Sequence, residues 1–268
     1  MKGVQQIINY FIINYSLFIK KLVMERTGYI VLFTLGMTVL VALLLSALFY
    51  GTREQALINE DVFNKRAILS AIDDQLVTKV NALDDKDISN IFDKQVEQVV
   101  LDMSGDVMDG MKAENVDMAK EKKKPEAERD LPLYIYNKED GEKYYIVSVR
   151  GSGLWDEIWG NIALENDFIT VAGASFDHKG ETPGLGAEIK DNPAFAEQFK
   201  GKKTYDEEGN YTSVYVRKGG AKDIWHEVDG ISGATVTADG VSEMLYRGIK
   251  YYEPYFEQLK EPQELEMN

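Results

Sequence analysis

A threonine at position 235 follows a run of small residues and precedes an amphipathic helix. Residues 229–235 read Asp-Gly-Ile-Ser-Gly-Ala-Thr, and apolar side chains then recur at helical spacing (Val241, Met244, Leu245, Ile249, Tyr252). The first turn of a helix has N–H groups without intrahelical partners, so it favours a phosphate group. Gly233 and Ala234 leave the Thr235 hydroxyl open to an enzyme or a bulky cofactor. Spacing alone, however, favours a simple helix cap after a glycine turn.

The chain has few other groups able to do redox or metal chemistry. It contains no cysteine, which excludes disulfides, thiolate zinc sites, cysteine nucleophiles and iron–sulfur ligation. Its two histidines, His178 and His226, are too few for a histidine-rich metal or haem site, and we expect both to be solvated loop residues. We therefore predict no metal site. Any redox chemistry must come from an organic cofactor, and no dinucleotide-binding or Walker-type glycine loop predicts NADH binding.

Charge is unevenly distributed along the chain. The formal net charge is −15, yet residues 1–50 carry four Lys or Arg side chains against one glutamate, so the acidic excess lies in the remainder. A strongly acidic domain repels phosphate backbones, which makes nucleic acid an unsuitable partner.

Residues 29–50 predict a single transmembrane helix. They contain no charged side chain, and at about 1.5 Å per residue they span the roughly 30 Å core of a bilayer. A buried core helix and a cleaved signal peptide both fit this run less well. Four Lys or Arg residues precede it and three follow it closely (Arg53, Lys65, Arg66), which favours a cytoplasmic N-terminus and a large domain outside.

The flanking segments divide the chain further. We interpret residues 1–28 as a cytoplasmic or interfacial segment, in which the apolar stretch 7–19 lies on the membrane surface or packs against another membrane protein of the same complex. Residues 51–130 are predicted to form a helical stalk and a charged linker, with a short helix around Ile91–Val100 and a solvated run at Lys120–Pro125. A domain at 131–257 and a tail at 258–268 follow.

The pattern of the 131–257 domain predicts an α+β fold with a mostly antiparallel sheet and flanking helices. Expected strands are Leu133–Tyr136, Tyr144–Val149, Asn161–Leu164, Phe168–Ala174 and Tyr211–Val216. Turns at Asp140-Gly141 and Glu165–Asp167 join the first four into hairpins. Asn192-Pro193 opens a short helix through Phe199, with asparagine as its cap. Strands without regular βαβ alternation argue against a parallel sheet.

Three blocks of sequence resemble the FMN-binding domain family. The Asp-Gly-x-Ser-Gly-Ala-Thr run at 229–235 resembles the family's flavinylation signature, in which a flavin transferase joins FMN from FAD to the last threonine. Glu181-Thr-Pro-Gly-Leu-Gly186 resembles its second loop. Gly151-Ser-Gly-Leu-Trp155 resembles a segment particular to the C subunits of sodium-translocating NADH:quinone reductases.

This resemblance implies the roles of individual residues. It implies FMN held by a phosphoester to Thr235, and transferase recognition by Asp229 and Gly230, although Asp229 also suits a turn. Trp155 is equally well explained as a core or interface tryptophan. Glu181 and Glu188 could tune the flavin potential or simply face solvent, and neither is assigned a role. The residues implied to contact the cofactor are Leu154, Trp155, Thr182, Leu185, Gly186, Ser232, Gly233 and Ala234.

The implied function is electron transfer through covalent FMN in a bacterial inner-membrane complex. The partners would be the other subunits of a membrane NADH:quinone reductase, the flavin transferase and membrane lipid, with the large domain in the periplasm. One alternative is the G subunit of the related Rnf complex, which shares the signature and the anchor. Another is a membrane-tethered docking protein that binds no flavin.

Overall fold

The computed structural model describes the backbone of residues 2–266 and the side chains of residues 12–260, except those at positions 22, 23 and 25. The chain divides into two compact units, residues 1–60 and 61–268. Helix α1, Lys2–Ser70, begins in the first unit and ends in the second.

The first unit is entirely helical where it is described. Its apolar side chains between Tyr29 and Tyr50 are exposed, as expected for a surface that contacts lipid. The described residues contain one helix long and apolar enough to cross a membrane. Helix α1 runs through both the predicted span and the predicted interfacial stretch 7–19 without interruption. The side chains of residues 7–11 lie outside the described part, so the interfacial placement stays a prediction.

The second unit is built on a five-stranded antiparallel sheet whose order follows the chain, β1-β2-β3-β4-β5. A separate parallel pair, β6 and β7, precedes the long helix Thr235–Lys250 in the sequence. The strands are β1 (Val96–Leu101), β2 (Leu131–Asn137), β3 (Lys143–Ser152), β4 (Glu157–Leu164), β5 (Val171–His178), β6 (Tyr215–Arg217) and β7 (Glu227–Asp229). The helices are α2 (Asp85–Gln95), α3 (Met118–Glu121), α4 (Glu188–Asp191), α5 (Pro193–Glu197), α6 (Thr235–Lys250) and α7 (Glu253–Glu266). The predicted α+β class is confirmed.

The sheet is buried on both faces because its strands carry apolar side chains at successive positions. In β2, Leu133 and Ile135 join the core beneath α6, whereas Tyr134 and Tyr136 join a second core on the other face. Side chains alternate between faces along a strand, so a strand without polar positions requires cover on both sides. The end of α1 and helix α2 cover the second face.

The expected stalk and linker are partly wrong. Ile68, Leu69 and Ile72 are buried in the second core, so this part of the stalk packs on the domain. The short helix ends at Gln95, and Val96–Leu101 form an edge strand paired with β2 instead of continuing that helix. The charged run is also held in place, because buried Glu121 accepts the N–H of Asp130 at 3.0 Å and pairs with Lys124.

Two expected strands begin later than predicted. Phe168 has a positive φ of 58° and belongs to the turn before β5, where its ring packs against Tyr145 and Phe256. Ser213 also has a positive φ, of 68°, so only Tyr215 and Val216 of the predicted strand 211–216 belong to the observed strand, which ends at Arg217. Positive φ is uncommon for residues other than glycine and breaks strand geometry. The helix after Asn192 begins as predicted, with the asparagine side chain accepting the N–H of Ala194.

Candidate functional site

Thr235 is the first residue of α6 and is half-buried. Ala234 occupies the cap position, and no side chain caps the helix. The N–H groups of the first turn therefore keep their capacity to bind an anion, as expected from the sequence. Gly233 immediately before the cap has φ of +76°, a conformation that glycine adopts at little cost.

The second loop packs directly on this turn. A Cβ built on Gly233 would lie 2.7 Å from Leu185 Cδ2, so the leucine side chain occupies the space that any larger residue would need. Leu185 itself is 41% exposed. The structure thus brings the Thr235 turn and the Leu185 loop into contact.

The Leu154–Trp155 segment forms the tip of a tight turn between β3 and β4. Gly153 donates its N–H to the Asp156 carbonyl at 2.8 Å, which closes the turn and leaves Leu154 53% and Trp155 69% exposed. The Trp155 indole N–H donates to Thr182 Oγ1 at 3.0 Å, which joins this turn to the second loop. Exposed Val236 adds a further apolar side chain in the first turn of α6. Exposed large apolar groups beside an uncapped helix are suited to bind a flat aromatic ligand that carries a phosphate.

Ion pairs of charged side chains stabilise the turn between β3 and β4. The N–H of Glu157 and the amine of Lys179 bind the Asp156 carboxylate and lower its pKa. The Arg150 guanidinium donates to Glu157 Oε2 at 2.6 Å and lowers the pKa of that carboxyl, against the effect of burial. Both acids therefore stay ionised and paired at neutral pH, which stabilises the turn that presents Trp155.

Glu181, to which the sequence assigned no role, is buried at the centre of this region. Its side chain is 5% exposed, and its two carboxylate oxygens accept the N–H of Trp155 at 2.9 Å and the hydroxyl of Thr237 at 2.7 Å. One side chain of the second block thus connects the Trp155 turn of the first block to the first turn of α6, which follows the third block. A signal was present, since Glu181 opens the second block, but its charge suggested a solvated position.

Several predicted cofactor contacts have structural roles of their own. Gly186 is buried, and a Cβ there would lie 2.6 Å from Thr237 Oγ1, so this glycine makes room for the bond to Glu181. Ala234 is 4% exposed and faces the interior, whereas Ser232 is exposed. Within the second loop the N–H groups of Leu185 and Ala187 both donate to the Thr182 carbonyl, so the loop itself uses them. The cofactor contacts themselves stay predictions.

Asp229 and Gly230 connect β7 to the attachment turn. Asp229 Oδ1 accepts the N–H of Ala221 at 2.7 Å, and its own N–H donates to Gln198 Oε1. Gly230 approaches β6 so closely that a Cβ would lie 2.9 Å from the Arg217 carbonyl oxygen. These contacts tie Asp229 to the segment between β6 and β7 and to Gln198. Recognition of Asp229 and Gly230 by a transferase stays a prediction.

Neither histidine is a solvated loop residue, contrary to expectation. His178 ends β5, where Nδ1 accepts the N–H of Glu181 at 3.2 Å and Nε2 is buried without a partner. His226 Nδ1 lies 2.8 Å from Asp223 Oδ2, and Nε2 lies 3.0 Å from the Tyr205 carbonyl oxygen. Burial acts to lower the pKa of His226, but the bonds to Tyr205 and Asp223 outweigh it and raise the pKa.

A cavity of about 260 Å³ lies away from these residues, between β3, the region of α3, and α6. None of the predicted site residues lines it. A shallower depression next to the attachment turn includes Asp229, Gly230 and Ser232. Across the described residues, no group of three His, Asp or Glu side chains is arranged to hold a metal ion.

Comparisons with known proteins identify the family and support the fold. Residues 153–250 match the family model described as FMN-binding domain. The C subunit of the Na(+)-translocating NADH-quinone reductase of Vibrio campbellii is 31% identical over 228 residues, which cover 77% of this chain and 84% of that protein. The crystal structure of the corresponding protein from Parabacteroides distasonis is 34% identical, with a TM-score of 0.67 over 76% of this chain and 96% of that one. The structure of Shewanella oneidensis NqrC is 28% identical, with a TM-score of 0.65 over 75% of this chain and 98% of that one.

These similarities extend well beyond the signature and cover most of each related protein. They also decide between the two respiratory alternatives that the sequence left open. The chain belongs to the family of C subunits of Na(+)-translocating NADH-quinone reductases.

Proposed function

We propose that this protein carries FMN as a phosphoester on Thr235 and relays electrons through it within a membrane NADH:quinone reductase. The observation that carries the proposal is the position of Thr235 at the uncapped start of α6, beside the exposed side chains of Trp155 and Leu185. Family membership supports FMN as the cofactor.

The residues present fit this cofactor. The first-turn N–H groups of α6 suit a phosphate, and the glycine before the cap leaves the attachment point open. Leu154, Trp155 and Leu185 offer exposed apolar surface to the flavin ring. Bound FMN would supply electron transfer that no other group in this chain supports. The chain itself would hold the phosphate, shield the ring and set its orientation.

Attachment requires an activated flavin donor and a transferase. The Thr235 oxygen forms a bond to the phosphorus of the FMN half of FAD, the pyrophosphate bond breaks, and AMP leaves. The threonine proton is lost in the same exchange. No redox change occurs in this step, so the cofactor keeps the oxidation state in which it arrives.

We propose further that α1 anchors the protein in the bacterial inner membrane, with residues 61–268 in the periplasm and the other proteins of the complex as partners. The basic residues before position 29 support this orientation. Protease added to intact spheroplasts should digest the large domain, whereas full protection would place the domain in the cytoplasm.

The attachment is tested by Thr235→Val, which removes the hydroxyl but keeps much of the side-chain shape. The full-length protein, made in a host with an active flavin transferase, should show a fluorescent band after denaturing electrophoresis and an FMN adduct by peptide mass spectrometry. Both should disappear in the variant, because no oxygen is left to carry the phosphate. Quinone reduction by the assembled complex should disappear with them.

Two variants control this experiment. Thr235→Ser keeps the hydroxyl and should keep covalent flavin, and Thr78→Val makes the same change at an exposed threonine in a turn. Covalent FMN that persists in Thr235→Val would remove Thr235 from the site. A wild-type protein without any adduct would favour the docking protein that binds no flavin.

A further inference from the structure

Glu181 is a buried acid to which the proposed function assigns no role. Its carboxylate is bound by one backbone N–H and one hydroxyl, from Trp155 and Thr237. Both of its oxygens accept hydrogen bonds, as an ionised carboxylate does. Among the described residues, no Lys or Arg forms an ion pair with it. Burial of a charge without a counter-charge costs free energy of folding. A buried carboxylate without an ion pair is therefore a candidate for a functional role.

The surrounding backbone is shaped for this one side chain. A Cβ built on Gly153 would collide with Glu181 Oε1 and would lie 2.9 Å from Ile158 Cγ2. A Cβ on Gly186 would collide with Glu181 Oε2. Because two glycines from different loops have no Cβ, the carboxylate can occupy this space.

The two groups that Glu181 binds belong to the two sides of the candidate flavin site. Thr237 lies two residues after Thr235 in the same turn of α6, and Trp155 is the exposed aromatic residue at the tip of its turn. A change in the carboxylate would therefore alter the distance and the angle between the attachment point and the candidate ring contact. The carboxylate is also hydrogen-bonded directly to one residue on each side of the candidate site.

We propose that Glu181 is a positioning residue that aligns the Thr235 turn with the Trp155 turn and holds the reduction potential of the attached flavin low through its charge. The inference rests on the proposed function, because it requires flavin at Thr235. A fixed negative charge in a poorly solvated site opposes the arrival of electrons, so its removal shifts the potential to more positive values. The alignment and the charge can be separated by substitution.

The test uses full-length protein made with an active flavin transferase, in three variants. Glu181→Gln removes the charge but keeps an oxygen for the Trp155 N–H and an amide that can donate to Thr237 Oγ1. Glu181→Ala removes both bonds. Glu188→Gln is the matched control, because it neutralises a half-buried glutamate at the start of α4, directly after this loop, that has no bond to Trp155 or Thr237.

Loading is measured by in-gel flavin fluorescence, folding by thermal melting, and potential by redox titration of the bound flavin. Glu181→Gln should load as well as wild type and titrate at a more positive potential than Glu188→Gln. Glu181→Ala should melt as a folded protein but load several-fold less flavin.

Three results would overturn the inference: full loading of Glu181→Ala, a Glu181→Gln potential no more positive than that of Glu188→Gln, or loading of Glu181→Gln as poor as that of Glu181→Ala. If the wild-type protein carried no covalent flavin, the proposed function would fail first and this inference with it. That outcome is distinct, because it needs no variant.

Discussion

Gly233 and Leu185 are packed so closely that a side chain on the glycine would displace the leucine: a Cβ would lie 2.7 Å from Leu185 Cδ2. This contact joins the turn that presents Thr235 to the loop expected to contact the flavin ring. Gly233 also has a φ of +76°, which disfavours any other residue. Two independent constraints therefore act on the glycine that precedes the helix cap.

Gly233→Ala should reduce covalent flavin several-fold and lower stability by about 1–2 kcal/mol, the usual cost of a left-handed backbone for a residue with a Cβ. In-gel fluorescence and thermal melting would measure the two effects. Gly209→Ala is the control, because Gly209 has φ of +81° but nothing within 4 Å of a built Cβ. That variant should lose similar stability and keep its flavin. Equal flavin loss in both would show that strain alone, and not the contact with Leu185, matters.

Trp155→Ala should alter the flavin rather than the fold. The indole is 69% exposed, so its removal should change the free energy of unfolding by only about 0.5 kcal/mol. If the indole contacts the ring, the flavin absorption spectrum and the native fluorescence should both change. Trp225→Ala removes another exposed tryptophan, 46% exposed, outside the three blocks and should leave the spectrum unchanged. Identical flavin spectra in wild type and Trp155→Ala would argue against the ring contact.

The pair of His226 and Asp223 should make stability depend on pH. Both ring nitrogens face oxygen acceptors, so the geometry suits the protonated ring, and the pKa lies above its ordinary value of 6.5. A raised pKa in the folded state contributes stability fully below about pH 6.5, and this contribution is lost as pH rises through the folded value.

His226→Gln should therefore lower the melting temperature more at about pH 5.5 than at about pH 8.5. Asp223→Asn should remove much of the same pH dependence, because it removes the carboxylate that favours the charged ring. A loss of stability in His226→Gln that is the same at both pH values would contradict a protonated histidine.

Tyr252 should be a major source of stability through its hydroxyl. Its ring is 1% exposed, and the hydroxyl lies 2.8 Å from the Pro132 carbonyl oxygen and 3.2 Å from that of Ser148. Tyr252→Phe leaves buried carbonyl groups without this donor, at a cost of about 1–3 kcal/mol by chemical denaturation. Tyr246→Phe, at a tyrosine that is 36% exposed, should be nearly neutral. Equal costs would mean that the buried bonds contribute little.

The parts of the candidate site that depend on contiguous residues were predictable from the sequence. The small-residue run before Thr235 predicted the turn and the helix after it, and both are present. Glu181 was not predictable in this way, because its partners Trp155 and Thr237 lie 26 and 56 residues away in the chain. Nothing in local sequence distinguishes a carboxylate that accepts two distant hydrogen bonds from one that faces water.

The central strands were predictable for a similar reason. Leu131–Asn137 and Lys143–Ser152 have long apolar runs around a glycine turn, and the hairpin follows from them. Strand β1 was missed because Val96, Val99 and Val100 also fit helical spacing after a genuine helix. Pairing with β2 decides the conformation, and that contact lies about 30 or more residues further along the chain.

That edge strand determines where the domain can be cut. A fragment that began at residue 131, the boundary expected from composition, would lose β1 and leave the backbone of β2 open for pairing with other molecules. It would also uncover Tyr134 and Tyr136, which the end of α1 and helix α2 help to bury. A soluble version suitable for crystals or redox titration should therefore start near Asp61, at the border between the two compact units.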